Sequence, residues 1–255
     1  MSIAIVTGGS GAIGRVICEV LAARGDQVCC ADLAQDRFER AFADTPAATM
    51  ANIQFAKLDV TQPDQWEALC EACEQDGATI DTLVNAAAFI AAMGGVDTID
   101  HDAWQQCFDV TLHGAASGVR TVGKRMAARG QGAIVNIASV VAHSGAPMNA
   151  GYATAKAALL GLTRTAAARL GRKGVRVNSI SPGWVDSPAV KGLFQAQARA
   201  GGTPEQAREE FIKGIPLQRL ASPKDIAEAV AFLTSDAAAY VTGIELTVDG
   251  GLGVA

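Results

Sequence analysis

Apolar residues in this chain fall into two kinds of stretch: short, nearly continuous runs, and longer segments in which they return every three or four positions. Runs of the first kind occupy residues 3–7 (IAIVT), 27–31 (QVCCA), 53–58 (IQFAKL), 80–84 (IDTLV), 133–138 (AIVNIA), 175–180 (VRVNSI) and 244–248 (IELTV). Being apolar throughout rather than alternating, they predict strands covered on both faces, and therefore a parallel sheet. The second kind predicts helices near 12–24, 63–75, 102–128, 150–170 and 224–235. Strand and helix alternate from one end of the chain to the other, which is the order of an α/β domain. One segment, 186–219, has helical composition but interrupts that alternation between two sheet elements. An insertion there is expected beyond the strand ends, where open sheets bind ligands.

Local signals mark several boundaries. Ser222 before Pro223, with Asp225 in the first turn, predicts a capped helix start, and Gly171 and Gly174 frame a tight exit from helix to strand. No linker or repeat divides the 255 residues, so 1–255 reads as a single domain carrying an insertion near 186–219, a candidate lid.

Composition narrows the function. The formal charge is −5 and no Lys/Arg block is long enough to track a phosphate backbone, which argues against nucleic acid as a partner. No apolar run reaches the length of a membrane span, and the opening MSIAIVTGG reads as a first strand; a cytoplasmic location is the expectation. Cys70 and Cys73 form a CxxC pair inside a helical pattern with no second pair or histidine nearby, so packing is expected of them. His101, His113 and His143 have no metal-ligand spacing, and no metal site is predicted, although His143 is placed near a pocket rim.

The segment IVTGGSGAIGRVICEVLAARG is a strand, a glycine-rich turn and a helix. Gly8, Gly11 and Gly14 let the backbone turn and approach a phosphate at the helix start, where amides lack intrahelical partners. Asp32 closes the next strand 18 residues after Gly14. A carboxylate there accepts hydrogen bonds from an adenosine ribose and repels a 2′-phosphate, while neighbouring Ser10 and Leu33 offer no cation to offset the repulsion. NAD is thus favoured over NADP. The predicted fold is a Rossmann-type doubly wound parallel sheet of about seven strands with helices on both faces.

Over essentially its whole length the chain resembles the short-chain dehydrogenase/reductase family. The start TGxxxGxG corresponds to Thr7, Gly8, Gly9, Ser10, Gly11, Ala12, Ile13 and Gly14, with Ala12 in place of the middle glycine. By resemblance this turn, Ile13 included, lines the cofactor. Asp59 and Val60 of LDV contact its adenine side. LVNAAA stands where the family has LVNNAG, so Asn85 matches while Ala86 and Ala88 depart from the pattern. In SPGWVDS, Pro182 and Gly183 leave the sixth strand, Val185 is placed near the nicotinamide, and Ser187 replaces a threonine that contacts its amide.

Residues 151–170 put Tyr152 and Lys156 four positions apart, one above the other on a helix face. With Ser139 thirteen residues before Tyr152, their order matches the family's serine and YxxxK, which implies Ser139, Tyr152 and Lys156 as catalytic. The chemistry suits them. Removing hydride from a secondary alcohol requires loss of the hydroxyl proton, a free phenol is too weak a base near neutral pH, and a nearby ammonium stabilises phenolate. Ser139 would hold the substrate oxygen. Thr111, in DVTLHG, occupies the position of a family asparagine and is a fourth, accessory catalytic candidate.

The implied activity is NAD-dependent interconversion of a secondary alcohol and a ketone. Alternatives are an NADPH-dependent 3-oxoacyl thioester reductase and a non-catalytic dinucleotide-binding regulatory protein. Loops at 88–96, 140–149 and 184–215, rich in Ala, Val, Met and Phe, favour an apolar or aromatic substrate. By resemblance the assembly is a homotetramer paired through helices 102–128 and 150–170.

Overall fold

In the computed structural model, which describes residues 2–90, 94–144, 146–147 and 149–254, seven strands form one sheet. They are β1 (Ser2–Thr7), β2 (Gln27–Asp32), β3 (Ile53–Lys57), β4 (Thr79–Asn85), β5 (Gly132–Ile137), β6 (Val175–Pro182) and β7 (Glu245–Val248). Their order is β3-β2-β1-β4-β5-β6-β7 and every pairing is parallel. The order reverses between β1 and β4, which opens a crevice at the carboxyl ends of those strands.

The helices are α1 (Ala12–Arg24), α2 (Gln35–Ala41), α3 (Ala47–Met50), α4 (Pro63–Cys73), α5 (His101–Phe108), α6 (Gly114–Arg129), α7 (Val141–Ser144), α8 (Ala150–Leu170), α9 (Pro188–Ala200), α10 (Pro204–Lys213) and α11 (Pro223–Thr234). Successive strand residues point to opposite faces, so continuous apolar strands need two cores. On one side Val6, Val84, Ile137 and Ile180 meet Ile17 and Leu21 of α1 and Ile226 and Val230 of α11. On the other, Ile5, Leu83, Ile134 and Val177 meet Trp66 of α4, Val119 and Met126 of α6, and Ala166 of α8. Helices therefore cover both faces, as the sequence pattern predicts.

The expected cap at Ser222 is a full capping box with Asp225, and Gly174 turns out of the preceding helix at φ 75°. One feature differs from expectation, and two add to it. The helix predicted over 102–128 is α5 and α6 joined by a π-helical turn, Asp109–His113, in which buried Thr111 accepts a bond from the Phe89 amide. The stretch between β2 and β3, where the pattern assigns no element, folds as α2 and α3, because Phe38 anchors α2 against Phe42 and Phe55. The insertion forms α9 and α10 around a small core of its own, with Val190, Phe194, Ala207, Ile215 and Leu220 buried.

All six cysteines are free, and Cys70 is fully buried in the core beneath α4. Among the described residues no three metal-binding side chains gather, and no helix is long and apolar enough to cross a membrane.

Candidate active site

The crevice has a nucleotide end and a reactive end. At the first, Gly8 has φ 63°, a conformation that L side chains rarely adopt, and a Cβ on Gly14 would stand 2.2 Å from the Gly8 carbonyl oxygen. Only hydrogen fits between turn and helix, which brings the start of α1 directly under the loop. Gly11 caps that helix without a side-chain bond, so the first-turn amides face outward as an anion cradle. Ile13 is half-buried and packs down onto the core. Thr7 at the end of β1 accepts from the amides of Ala86 (3.1 Å) and Ala87 (3.2 Å), so its hydroxyl stitches the NAAA loop to the sheet despite the alanines there.

Asp32 ends β2 buried and well fixed. Its Oδ2 accepts from the Ser10 amide at 2.9 Å and its Oδ1 from the Leu33 amide at 2.8 Å, while the Leu33 side chain is exposed. A carboxylate has room for about four donors, so capacity remains for ribose hydroxyls. The expectation that no cation lies nearby is corrected: Arg37 Nη1 stands 3.5 Å from Asp32 Oδ1. The reason is α2, whose first turn returns Arg37 over the strand end. The helical spacing of Phe38 and Phe42 in QDRFERAF was the signal available in the sequence.

After β3, Asp59 turns into its own loop, accepting from the Thr61 amide and hydroxyl. Val60 is buried, and its carbonyl accepts from the Trp66 indole at 3.0 Å. Asn85, buried at the end of β4, donates to Asn136 Oδ1 at 2.9 Å; Asn136 donates in turn to the Thr163 hydroxyl at 2.9 Å. This polar chain joins β4 and β5 to α8.

At the reactive end, Ser139 follows β5, and Tyr152 and Lys156 occupy the first turns of α8. The structure brings all three together. The Ser139 hydroxyl accepts from the Val141 amide at 3.4 Å and lies close enough to the Tyr152 phenol to favour its ionised form. Lys156 is 2% exposed; its Nζ donates to the Ile137 carbonyl at 2.5 Å and stands 5.4 Å from the Tyr152 ring centre. Burial pushes the phenol up to about 12, opposed in part by Ser139, and burial pulls the ammonium down to about 7. In the ring's apolar cluster lie Phe89, from the expected 88–96 pocket loop, and Ile99 and Cys107, which the sequence reading did not assign to the site.

The accessory candidates fall differently. Thr111 lies in the π-helical turn that packs against α8, with its hydroxyl already engaged by the Phe89 amide. Pro182 ends β6, and the Gly183 amide bonds to Val248 O. Val185 is buried and forms a bridge with Ala221, and Ser187 caps α9 by accepting from the Val190 amide. Trp184 packs edge-on against Phe211, making it an anchor of the insertion. His143, expected near the pocket rim, bonds to Glu245 of β7 at 2.7 Å. Ala91, Ala92, Met93, Gly145 and Met148, within the expected pocket loops, lie outside the described residues.

A parallel sheet with a glycine cradle at its switch point and a phenol–ammonium pair beside it defines a dinucleotide-dependent oxidoreductase. A family model described as Enoyl-(Acyl carrier protein) reductase matches residues 8–253. Cis-4-hydroxycyclohexanecarboxylate dehydrogenase of Sinomonas cyclohexanicum is 35% identical over 98% of this chain and 95% of its own length. A 3-oxoacyl-(acyl-carrier-protein) reductase of Chlamydia muridarum is 33% identical over 98% and 96%. The crystal structure of actinorhodin polyketide ketoreductase with NADPH superposes with a TM-score of 0.92 at 28% identity, covering 100% of this chain and 98% of that one. The chain belongs to the short-chain dehydrogenase/reductase family. Its activity is oxidoreduction at a hydroxyl- or ketone-bearing carbon with NAD or NADPH.

The buried ammonium gives a test on the free protein. An unfolded lysine keeps its proton to about 10.5, whereas Lys156 in the fold releases it near 7. Between those values the unfolded chain binds more protons, so Lys156 makes the fold more stable as pH rises. Lys156→Met should flatten the rise of urea-unfolding free energy from about pH 7 to 8.5, below the usual thiol range. An unchanged slope would show that the ammonium is not buried as described.

Proposed function

We propose that this protein is an NAD-preferring dehydrogenase that interconverts an apolar, cyclic or aromatic secondary alcohol and its ketone, with Tyr152 as the acid/base. The observation that carries this reading is the convergence of Ser139, Tyr152 and Lys156 at the carboxyl end of β5, beside a crevice whose cradle fits a dinucleotide. Gly8, Ser10, Gly11, Ile13 and Gly14 would hold the pyrophosphate side and Asp32 the adenosine ribose, with Leu33, Asp59, Val60 and Asn85 lining that half. Pro182, Gly183, Val185 and Ser187 would line the nicotinamide half.

When bound, NAD supplies the hydride acceptor and NADH the donor. Tyr152 takes the hydroxyl proton in oxidation and returns it in reduction. Alone, either charged form is costly here: phenolate lies above the neutral range and the ammonium is already half-released near neutrality. Formed side by side, phenolate and ammonium each lower the cost of the other. Ser139 directs its hydroxyl at the substrate oxygen and limits charge build-up there. Thr111 holds the Phe89 backbone, and through it one wall of the pocket beside Tyr152.

The cyclic alcohol named for the Sinomonas relative supports the substrate class, as do Phe89 and Ile99 beside the phenol. The Chlamydia relative's name keeps 3-oxoacyl thioester reduction as the second reading. Asp32 at the ribose end favours the first.

Tyr152→Phe keeps the ring and removes the proton-transferring hydroxyl. Turnover should fall by about 10²- to 10⁴-fold, the usual weight of general acid/base catalysis, with NAD affinity nearly unchanged. Stopped assays on a panel of cyclic secondary alcohols, with parallel NADH fluorescence titration, check both; a variant that keeps most of its turnover refutes the mechanism.

The insertion that carries α9 and α10 is proposed as a lid, with Gly201 and Gly202 between its helices as the hinge. Limited proteolysis at 190–205 should slow when NAD and a substrate analogue are both present. Equal cleavage with and without them would make the insertion a static excursion.

A further inference from the structure

The bond between His143 and Glu245 carries an inference about Ser139. Ser139 stands in the connection from β5 to α8, and the turn that follows it, α7, is four residues long and buries none of them. So short a helix has little stability of its own. Its internal bonds, from the Ala142 amide to the Ser139 carbonyl at 3.0 Å and from the His143 amide to the Val140 carbonyl at 3.0 Å, shape the turn but do not say where it sits. Among the described residues, two contacts tie it to the sheet. The Val140 amide donates to the Pro182 carbonyl at the end of β6 at 3.1 Å, and His143 Nε2 lies 2.7 and 2.9 Å from the carboxylate oxygens of Glu245, the first residue of β7.

An exposed ion pair is ordinarily worth little, because two long side chains must be ordered to form it and water screens their charges. This pair differs on its sheet side. Glu245 stands in register with Ser179, and its Oε1 reaches diagonally to accept from the hydroxyl of Ser181, a residue with no exposed surface. Its side chain is 19% exposed, against 58% for the imidazole. The carboxylate is thus held from beneath, and only the short histidine side chain remains to be ordered. Protonated, or as its Nε2–H tautomer, the imidazole donates to it.

We propose that His143 is a positioning residue for the reaction: by tying α7 to β7 it keeps the Ser139 hydroxyl aimed at the Tyr152 phenol and the substrate oxygen. This rests on the reading of Ser139 as the group that receives that oxygen. The path is short. Ser139 and His143 belong to one turn, and the Ser139 hydroxyl accepts from the Val141 amide between them at 3.4 Å. A bond of that length restrains a hydroxyl only weakly, so a displaced turn carries the serine with it. Reacting groups tolerate displacements of only about 0.5 Å.

The test compares the wild type, His143→Ala, His143→Gln, Ser139→Ala and the double variant Ser139→Ala/His143→Ala. Each is assayed for kcat/KM with the cyclic secondary alcohol that the wild type turns over fastest, and for NADH affinity by fluorescence titration. His143→Ala should lower kcat/KM roughly tenfold, chiefly through kcat, and leave NADH affinity within about twofold. His143→Gln, which keeps a donor near the place of Nε2, should recover most of the loss. In the Ser139→Ala background the histidine substitution should change kcat/KM by less than about twofold, because two residues that act through one hydroxyl are not additive. A second readout needs no turnover. Tyr240→Phe leaves Tyr152 as the sole phenol of the chain. With saturating NAD, tyrosinate absorbance in that background should appear at higher pH once His143→Ala is added, since Ser139 favours the ionised phenol. Wild-type kcat/KM in His143→Ala, an equally large loss without Ser139, or a phenol that titrates as in the parent each overturns the inference. A Ser139→Ala protein that keeps most of its turnover overturns instead the reading of Ser139.

Discussion

Lys156 brings an ammonium to a place that water scarcely reaches, and the reactive end of the molecule is arranged around that charge. Its Nζ donates to the Ile137 carbonyl at the end of β5, and burial brings it to about 7. A lone buried charge is unfavourable, so such a lysine persists only where the surrounding fold dictates its position. Here α8 packs along β6 and reaches the end of β5 through the Lys156 bond to Ile137, and Ala155 and Leu159 beside the lysine are themselves buried. The same helix turn carries Tyr152, whose phenol meets the mirror-image penalty. In the proposed mechanism these two groups, each resisting ionisation alone, ionise together beside the crevice at the sheet's switch point.

The two ends of the site are tied by bonds inside the sheet. Thr7 holds the loop after β4 at the end of β1, where the glycine cradle begins. From the last residue of β4, the chain Asn85–Asn136–Thr163 crosses β5 to reach α8. Buried side-chain networks of this kind fix relative position, since any shift leaves a polar group without a partner. The distance from cradle to phenol is thus a property of the sheet, while the insertion, with a small separate core, is attached over it.

Much of this was legible in the sequence, and for physical reasons. Strands buried on both faces leave unbroken apolar runs, so all seven appeared with their ends within two residues of their places. The boundaries of α1 and α8 were met in full, the first set by its glycine turn and the second by sustained helical spacing. Ser139, Tyr152 and Lys156 were legible because one strand end and one helix face constrain them. What escaped depends on contacts distant in sequence. The π-helical turn at Thr111 is drawn by Phe89, 22 residues away, and His143 is captured by Glu245, 102 residues away. Arg37 escaped for a related reason: α2 is short and weakly patterned, and Phe55 on β3 is what fixes it beside Asp32.

The central claim is that the dinucleotide and Lys156 together make the Tyr152 phenol ionisable, and it can be observed without turnover. The chain has two tyrosines, so Tyr240→Phe leaves Tyr152 as the sole phenol. Tyrosinate absorbance near 295 nm, followed against pH in that variant, should show ionisation near about 12 in the free protein. With saturating NAD the transition should move down by at least about two pH units, as an adjacent cation in a closed site requires. A phenol that titrates at the same pH with and without NAD would contradict the account.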